Sequence, residues 1–233
     1  MNYSYLLYCV LIGYAFGNIL TAELIGKAKG KSTFENGSGN PGMTNSIHVL
    51  GLSSGVMVLA GDILKTLFAY LLCLWLFPSL HNLAALYSGL GCMLGHCFPI
   101  WHHFQGGKGV TVVCAAYILY APIPGIIALA CGGICILLKK GVKIAAAVIP
   151  AVFLVIMLFQ FSWIAFLPAA FMGGLLAYLN LRPNRLQNPP APAEDKDQAK
   201  TDSADLKAIS DGREKIPAKP ESELSRKVKN YMR

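Results

Sequence analysis

"VLGLSSGVMVLAGDILKTLFAYLLCLWLF" occupies Val49 to Phe77. It runs well past the ~20 apolar residues that cross a bilayer as a helix. Its two charges, Asp62 and Lys65, stand three apart, about one turn, and can pair on one helix face. Charges inside a span are costly and face protein or water rather than lipid. The stretch therefore reads as one transmembrane helix of a chain with several. The pair is either a self-satisfied packing anchor or part of a polar site.

Other apolar stretches lie on both sides. Tyr3–Ile25 is the expected first span. It has no basic leader and its apolar run is too long for a signal peptide, so it reads as retained. "KAKGK" (Lys27–Lys31) follows with three lysines. The positive-inside bias places that loop in the cytoplasm and the N-terminus outside. "PSLHN" (Pro78–Asn82) has no Lys or Arg and is expected outside; Leu83–Trp101 then returns. Val110–Leu138 is interrupted by "APIPG" (Ala121–Gly125), whose prolines end one helix and start another. "KKGVK" (Lys139–Lys143) is basic and therefore cytoplasmic, which makes Val110–Leu138 a pair of short helices. Ile144–Gln160 and Trp163–Leu181 form the last pair. The expected fold is an all-α integral membrane protein. It has about seven transmembrane or membrane-embedded helices and two glycine-rich cytoplasmic loops. A five-segment alternative, with the basic loop outside, violates the charge rule. Residues 1–186 form the membrane domain. Residues 187–233, rich in Pro, Ala, Asp and Lys, are expected to be a disordered, charged cytoplasmic tail. Its end, "ESELSRKVKNYMR", reads as solvated rather than as an amphipathic helix.

The chain has 233 residues, 55% hydrophobic and 14% charged. Up to Leu186 there are three acids against ten Lys/Arg, and the rest of the chain has nine against ten. The membrane body thus carries +7 of the +8 net charge, which suits anionic ligands or lipid headgroups. No basic stripe with interleaved aromatics marks a nucleic-acid partner. The seven cysteines lie in apolar stretches without a CxxC pair, so no disulfide framework is indicated. Cys92, His96 and Cys97 read as apolar helix residues rather than metal ligands. No metal and no cofactor are expected.

Two polar loops fall on one side. "FENGSGNPGMTNSIHVLG" (Phe34–Gly51) offers glycines whose backbone can approach an anion, with Ser38, Asn40, Thr44 and Asn45 as neutral donors. "HHFQGGKG" (His102–Gly109) sets Lys108 among Gly106, Gly107 and Gly109. A helix starting at Val110 would aim its N-terminus there. Together they describe a phosphate site at the bilayer surface. The second loop is not a Walker A sequence, because Gly109 follows the lysine in place of Ser or Thr. His96, in "LGHCFP", is a phosphate ligand or general acid/base, or else a packing residue. Glu23 and Glu35 are the other candidate bases.

"GSGNPGMTN" (Gly37–Asn45), "GDILK" (Gly61–Lys65), "LGHCFP" (Leu94–Pro99) and "FQGGKGV" (Phe104–Val110) occur in the order found in the bacterial acyl-phosphate:glycerol-3-phosphate acyltransferases (PlsY family). "LTAELIGK" (Leu20–Lys27) also resembles that family's first span, and the resemblance covers about residues 5–186. It implies transfer of a fatty acyl group from acyl phosphate to the sn-1 hydroxyl of glycerol 3-phosphate, giving lysophosphatidate and inorganic phosphate in phospholipid synthesis. It implies a multi-pass protein of the bacterial inner membrane. Its partners would be acyl phosphate, glycerol 3-phosphate, membrane lipid and the enzyme that forms acyl phosphate. On this resemblance Lys108, His96 and Ser38 are the candidate catalytic residues. The phosphate-binding set is Gly37, Ser38, Gly39, Asn40, Thr44, Asn45, His48, Gly106, Gly107, Lys108, Gly109, Lys143 and Arg182. The proton of the attacking hydroxyl goes to a substrate phosphate oxygen or to His96.

The chain departs from the family pattern. Phe34 and His48 stand where arginines are usual, Lys143 replaces a serine, and Leu179 and Arg182 align loosely with a His and an Asn. Lys143 and Arg182 are expected to restore the charge lost at positions 34 and 48. A non-catalytic or altered-acceptor paralogue that binds phosphorylated lipid precursors is the alternative function. A small transporter is disfavoured by the lack of an inverted repeat.

Overall fold

The computed structural model describes residues 2–159 and 162–182. The expected tail, 187–233, lies outside them. Among the described residues the regular structure is entirely helical. The helices are α1 Ser4–Gly17, α2 Thr21–Ala28, α3 Met43–Leu50, α4 Leu52–Leu76, α5 Leu83–Cys97, α6 Val110–Tyr120, α7 Pro122–Leu137, α8 Val142–Leu158 and α9 Trp163–Leu181. Ser4–Ala28, Leu52–Leu76, Leu83–His102 and Trp163–Leu181 are long and apolar enough to cross a membrane, and α6, α7 and α8 are shorter apolar helices. The break at "APIPG" falls as expected, with Ala121 extended between α6 and α7.

Two expected spans are interrupted. The first breaks between Gly17 and Thr21. There Asn18 turns its amide on the chain: Nδ2 donates to Tyr14 O at 2.7 Å, and Oδ1 accepts from the Ile100 amide at 2.8 Å. The break releases Ile19 O from the helical ladder, and Lys65 takes it. The second is cut at Gly51, whose φ of 92° ends α3 before α4 begins. An L side chain rarely adopts that conformation.

Close packing of α1 on α5 has a simple cause. Gly13 and Gly17 on one helix face Gly91 and Gly95 on the other. A Cβ at any of the four would collide with backbone of the opposite helix. Two G-x-x-x-G stretches thus lie face to face, the arrangement that lets membrane helices approach closely without a hydrophobic driving force. On the other side, the core joins α5 and α6 to α8 and α9. Tyr117 of α6 stacks on Phe153 of α8 at 3.8 Å and donates its hydroxyl to Ala169 O of α9 at 2.8 Å. That bond satisfies a buried polar group in an apolar setting.

The helix ends sort into two sets. Tyr5 and Tyr8 stack on Phe77, and Asn82 donates to Tyr120 O, so the N-terminus lies with the α4–α5 and α6–α7 turns. Both glycine loops, Lys143 and the end of α9 meet at the other set. Lys143 therefore lies on the side of the glycine loops. The eleven residues of α6 rise only ~16 Å, about half the ~30 Å hydrocarbon thickness.

Candidate functional site

The first loop is held by one side chain. Asn45, on the first turn of α3 and buried, accepts from the Ser38 amide at 2.8 Å through Oδ1. Its Nδ2 donates to Thr33 O at 2.9 Å and Asn36 O at 3.1 Å. Asn45 lies so close to Gly37 that a Cβ there would strike its Oδ1, and Gly37 also has a φ of +65°. Position 37 therefore requires glycine. Asn45 lines the site but acts as the loop's scaffold rather than as the expected ligand donor. We expect Asn45→Ala to cost about 1–3 kcal/mol, because the Ser38 amide and two carbonyls lose a partner at once. Unfolding in mixed micelles measures it; a loss below about 0.5 kcal/mol, the low end for one hydrogen bond, would show that the loop is held otherwise.

The second loop is held by its own backbone. The Gly106 and Gly107 amides donate to Cys97 O and His96 O, each at 2.9 Å. In the first loop the Gly39 and Gly42 amides donate to Asn36 O and Asn40 O. The amides of Ser38, Gly39, Gly106 and Gly107, expected to face an anion, are thus engaged in closing the loops. The glycines serve close approach. A Cβ at Gly106 would hit His96 O, and one at Gly107 would hit the His96 imidazole.

Three helix N-termini also meet at this place. A cavity of about 630 Å³ is lined by Met43 and Thr44 at the start of α3, Val110 and Thr111 at the start of α6, and Val142 and Lys143 at the start of α8. First-turn amides lack intrahelical acceptors, and the helix dipole puts partial positive charge there. Gly37, Ser38, Asn40, Asn45, His48, Lys108 and Gly109 complete that wall, with Asp62 and His96 beneath. A second cavity of about 280 Å³ is lined by Ser38, Gly39, Asn40, Gly106, Gly107, Lys108, Leu179 and Arg182. Ser38, Asn40 and Lys108 face both cavities. The Lys108 ammonium is held below the usual lysine range, first by partial burial and then by the Lys143 charge.

Every residue of the expected catalytic and phosphate-binding sets lines one of these two cavities, whereas the candidate bases Glu23 and Glu35 line neither. Lys143 joins the larger and Arg182 the smaller, where its guanidinium also sits 4.0 Å over the Tyr178 ring. Phe34 stacks on His102 at 5.1 Å and so ties the first loop to the second. Among the polar side chains that line the larger cavity, Thr111, Asn180 and Asp62 were not in the expected set. Asn180 had a readable signal, a lone amide in an otherwise apolar helix. Asp62 was legible as a charge within a span, with its place in a packing anchor or a polar site left open, and it lines this cavity.

The Asp62–Lys65 pair is real and well enclosed. Lys65 Nζ lies 2.7 Å from Asp62 Oδ1, 3.0 Å from Ile19 O and 2.9 Å from His96 Nδ1. Thr66 donates back to Asp62 O at 2.8 Å.

Three helix N-termini and two lysines thus put positive charge around one cavity of a multi-pass helical membrane protein. The family model for glycerol-3-phosphate acyltransferase matches residues 7–186, and the chain belongs to that family. Glycerol-3-phosphate acyltransferase 1 of Lactobacillus acidophilus is 48% identical over 115 residues, 49% of this chain and 55% of that one. The chain thus spans about half the length of that relative. Glycerol-3-phosphate acyltransferase 1 of Lactobacillus johnsonii is 36% identical over 155 residues, 66% of this chain and 75% of that one. The structure is similar to the crystal structure of PlsY, an integral membrane glycerol 3-phosphate acyltransferase. Its lysophosphatidic acid form matches with a TM-score of 0.66 at 25% identity, covering 90% of this chain and 94% of that one. Its glycerol 3-phosphate form matches with a TM-score of 0.68 at 24% identity, covering 91% and 96%, a likeness of fold.

Proposed function

We propose that the chain transfers a fatty acyl group from acyl phosphate to the sn-1 hydroxyl of glycerol 3-phosphate. The supporting observation is the pair of cavities that share Ser38, Asn40 and Lys108, since both substrates carry a phosphoryl group. The hydroxyl oxygen bonds to the acyl carbonyl carbon. The carbon–oxygen bond to phosphate breaks, inorganic phosphate leaves with the electron pair, and the hydroxyl proton ends on it. Acyl phosphate is already activated, so alignment and charge stabilisation carry the rate. Lys108 bridges the two phosphoryl groups and Ser38 hydrogen-bonds one of them. Lys143, which lines the larger cavity with His48, and Arg182, which lines the smaller, supply the charge that Phe34 and His48 do not. Arginine grips phosphate in a fork while lysine acts as a point charge, so the exchange alters the geometry of the grip. The loops face the cytoplasm of a bacterial inner membrane, where glycerol 3-phosphate and the acyl-phosphate-forming enzyme are. Residues 187–233 are a charged cytoplasmic tail.

The test is acyl transfer by the purified full chain in lipid, with palmitoyl phosphate and labelled glycerol 3-phosphate. Lysophosphatidate formation supports the proposal. No product, with an active relative run in parallel, overturns it. Phosphate-ester binding without turnover would then support the alternative paralogue, which the residues at 34 and 48 favour.

The charge arrangement also fixes a pH dependence. Lys108 binds anions as the ammonium, so affinity is full below its free-site pKa. Affinity falls as pH rises from that lowered value towards the higher value in the complex. We expect glycerol 3-phosphate affinity to decline at a lower alkaline pH than an exposed lysine would give. Lys143→Ala removes one cause of the lowering, so the decline should move to higher pH while affinity at neutral pH drops. Calorimetric titration across alkaline pH reads both; an unmoved decline would show that Lys143 does not act on Lys108.

A further inference from the structure

The buried contacts of Lys65 decide which nitrogen of His96 carries the proton. An ammonium has three N–H bonds, and three acceptors surround Lys65 Nζ: Asp62 Oδ1 at 2.7 Å, His96 Nδ1 at 2.9 Å and Ile19 O at 3.0 Å. Each hydrogen has one partner. Lys65 and Asp62 are each at most 5% exposed, and a carboxylate so deeply buried demands a counter-charge. Lys65 is accordingly the charged donor, because an ammonium has no lone pair with which to accept. His96 Nδ1 must therefore be the acceptor. The competing arrangement, Nδ1–H donating to Asp62, is not made: that oxygen is 3.8 Å away and the ammonium is nearer. An N–H at Nδ1 would point at a positive charge.

With Nδ1 occupied as an acceptor, a neutral imidazole carries its proton on Nε2. That nitrogen lies against Gly107, where any side chain would displace it. Among the described residues no protein group accepts from Nε2, and His96 lines the larger cavity below Lys108. Nε2 thus lies at Gly107 with no acceptor among the described residues, on a side chain that lines the cavity walled by helix N-termini. We infer that Lys65 is a positioning residue that locks His96 in the Nε2–H tautomer, making it a fixed neutral donor to a substrate oxygen and unavailable as a general base at Nε2.

The break in the first span belongs to this device. Ile19 O takes the third ammonium hydrogen only because the helix opens between Gly17 and Thr21. Thr21 adds a weaker donor to Asp62 Oδ1, at 3.4 Å. The donor role rests on the acyltransferase reading; the tautomer does not.

The direct test is nitrogen-15 NMR of the full chain in lipid with labelled histidine. The His96 signals are assigned by their absence in His96→Gln. The wild-type protein should show a pyridine-type Nδ1 and a pyrrole-type Nε2, and Lys65→Met should give a mixture of tautomers. A pyrrole-type Nδ1 in the wild type overturns the inference, as does an unchanged pure Nε2–H form in Lys65→Met. Should Lys65→Met fail to fold, the wild-type spectrum alone still decides the tautomer. The donor role is read by acyl transfer. Gln places an amide N–H near the Nε2 position and Asn places one near Nδ1, so His96→Gln should outpace His96→Asn by roughly 10-fold or more. Equal or reversed rates overturn the donor role. A wild-type protein that makes no lysophosphatidate would sink the proposed reaction and leave the spectrum to judge the lock.

Discussion

Lys108→Ala is expected to lower acyl transfer by about 10² to 10³, the cost of deleting one preorganised charge-stabilising donor from a site with little bulk water. The expectation follows from position. Lys108 lines both cavities, so the variant loses charge at two phosphoryl groups together. Its neighbours cannot fill in fully, since Lys143 lines only the larger cavity and Arg182 only the smaller. The Gly106 and Gly107 amides, bonded to Cys97 O and His96 O, still pin the loop in the variant. The measurement is turnover against both substrates, with thermal melting as the check on folding. Lys108→Arg restores charge but not shape and should regain only part of the loss. A fall smaller than about 10-fold, well under the loss of one such donor, would mean that Lys108 is not the bridge between the sites.

Much of this was legible in the chain, and for physical reasons. Long apolar runs, the proline pair at Ala121–Gly125 and the basic loop at Lys139–Lys143 are local signals, and α6 to α9 follow them closely. The glycine loops were readable as a site because glycine and a lone lysine are out of place in an apolar chain. The use of those glycines was not readable. Whether an amide faces a ligand or a neighbouring carbonyl depends on which strand of chain packs beside it, and here α5 does. The first-span break was hidden because its cause lies elsewhere, in Ile100 and Lys65. The paired G-x-x-x-G stretches of α1 and α5 were present as letters, but their partnership exists only once the helices meet. Three helix N-termini at one cavity is likewise a tertiary fact, assembled from segments around residues 43, 110 and 142.

Asp62→Ala should destabilise the fold by about 3–5 kcal/mol, the range for leaving one partner of a buried ion pair uncompensated. Lys65 would keep Ile19 O and His96 Nδ1 as acceptors but lose its only counter-charge among the described groups around it. Five buried cysteines, Cys9, Cys73, Cys92, Cys97 and Cys114, make a thiol-reactive dye a direct reporter of unfolding in detergent. The melting temperature should drop by on the order of 10 °C. Asp62→Asn keeps the shape and an acceptor, and should fall between the wild type and the alanine variant. The decisive comparison is the double variant Asp62→Ala with Lys65→Met. Removing both charges abolishes the need for compensation, so the double variant should be more stable than Asp62→Ala alone despite carrying one more substitution. Simple packing loss would make the two changes additive and the double variant the weakest of all. That outcome would show that the pair contributes to the bundle as bulk, and that its charges are held by something other than each other.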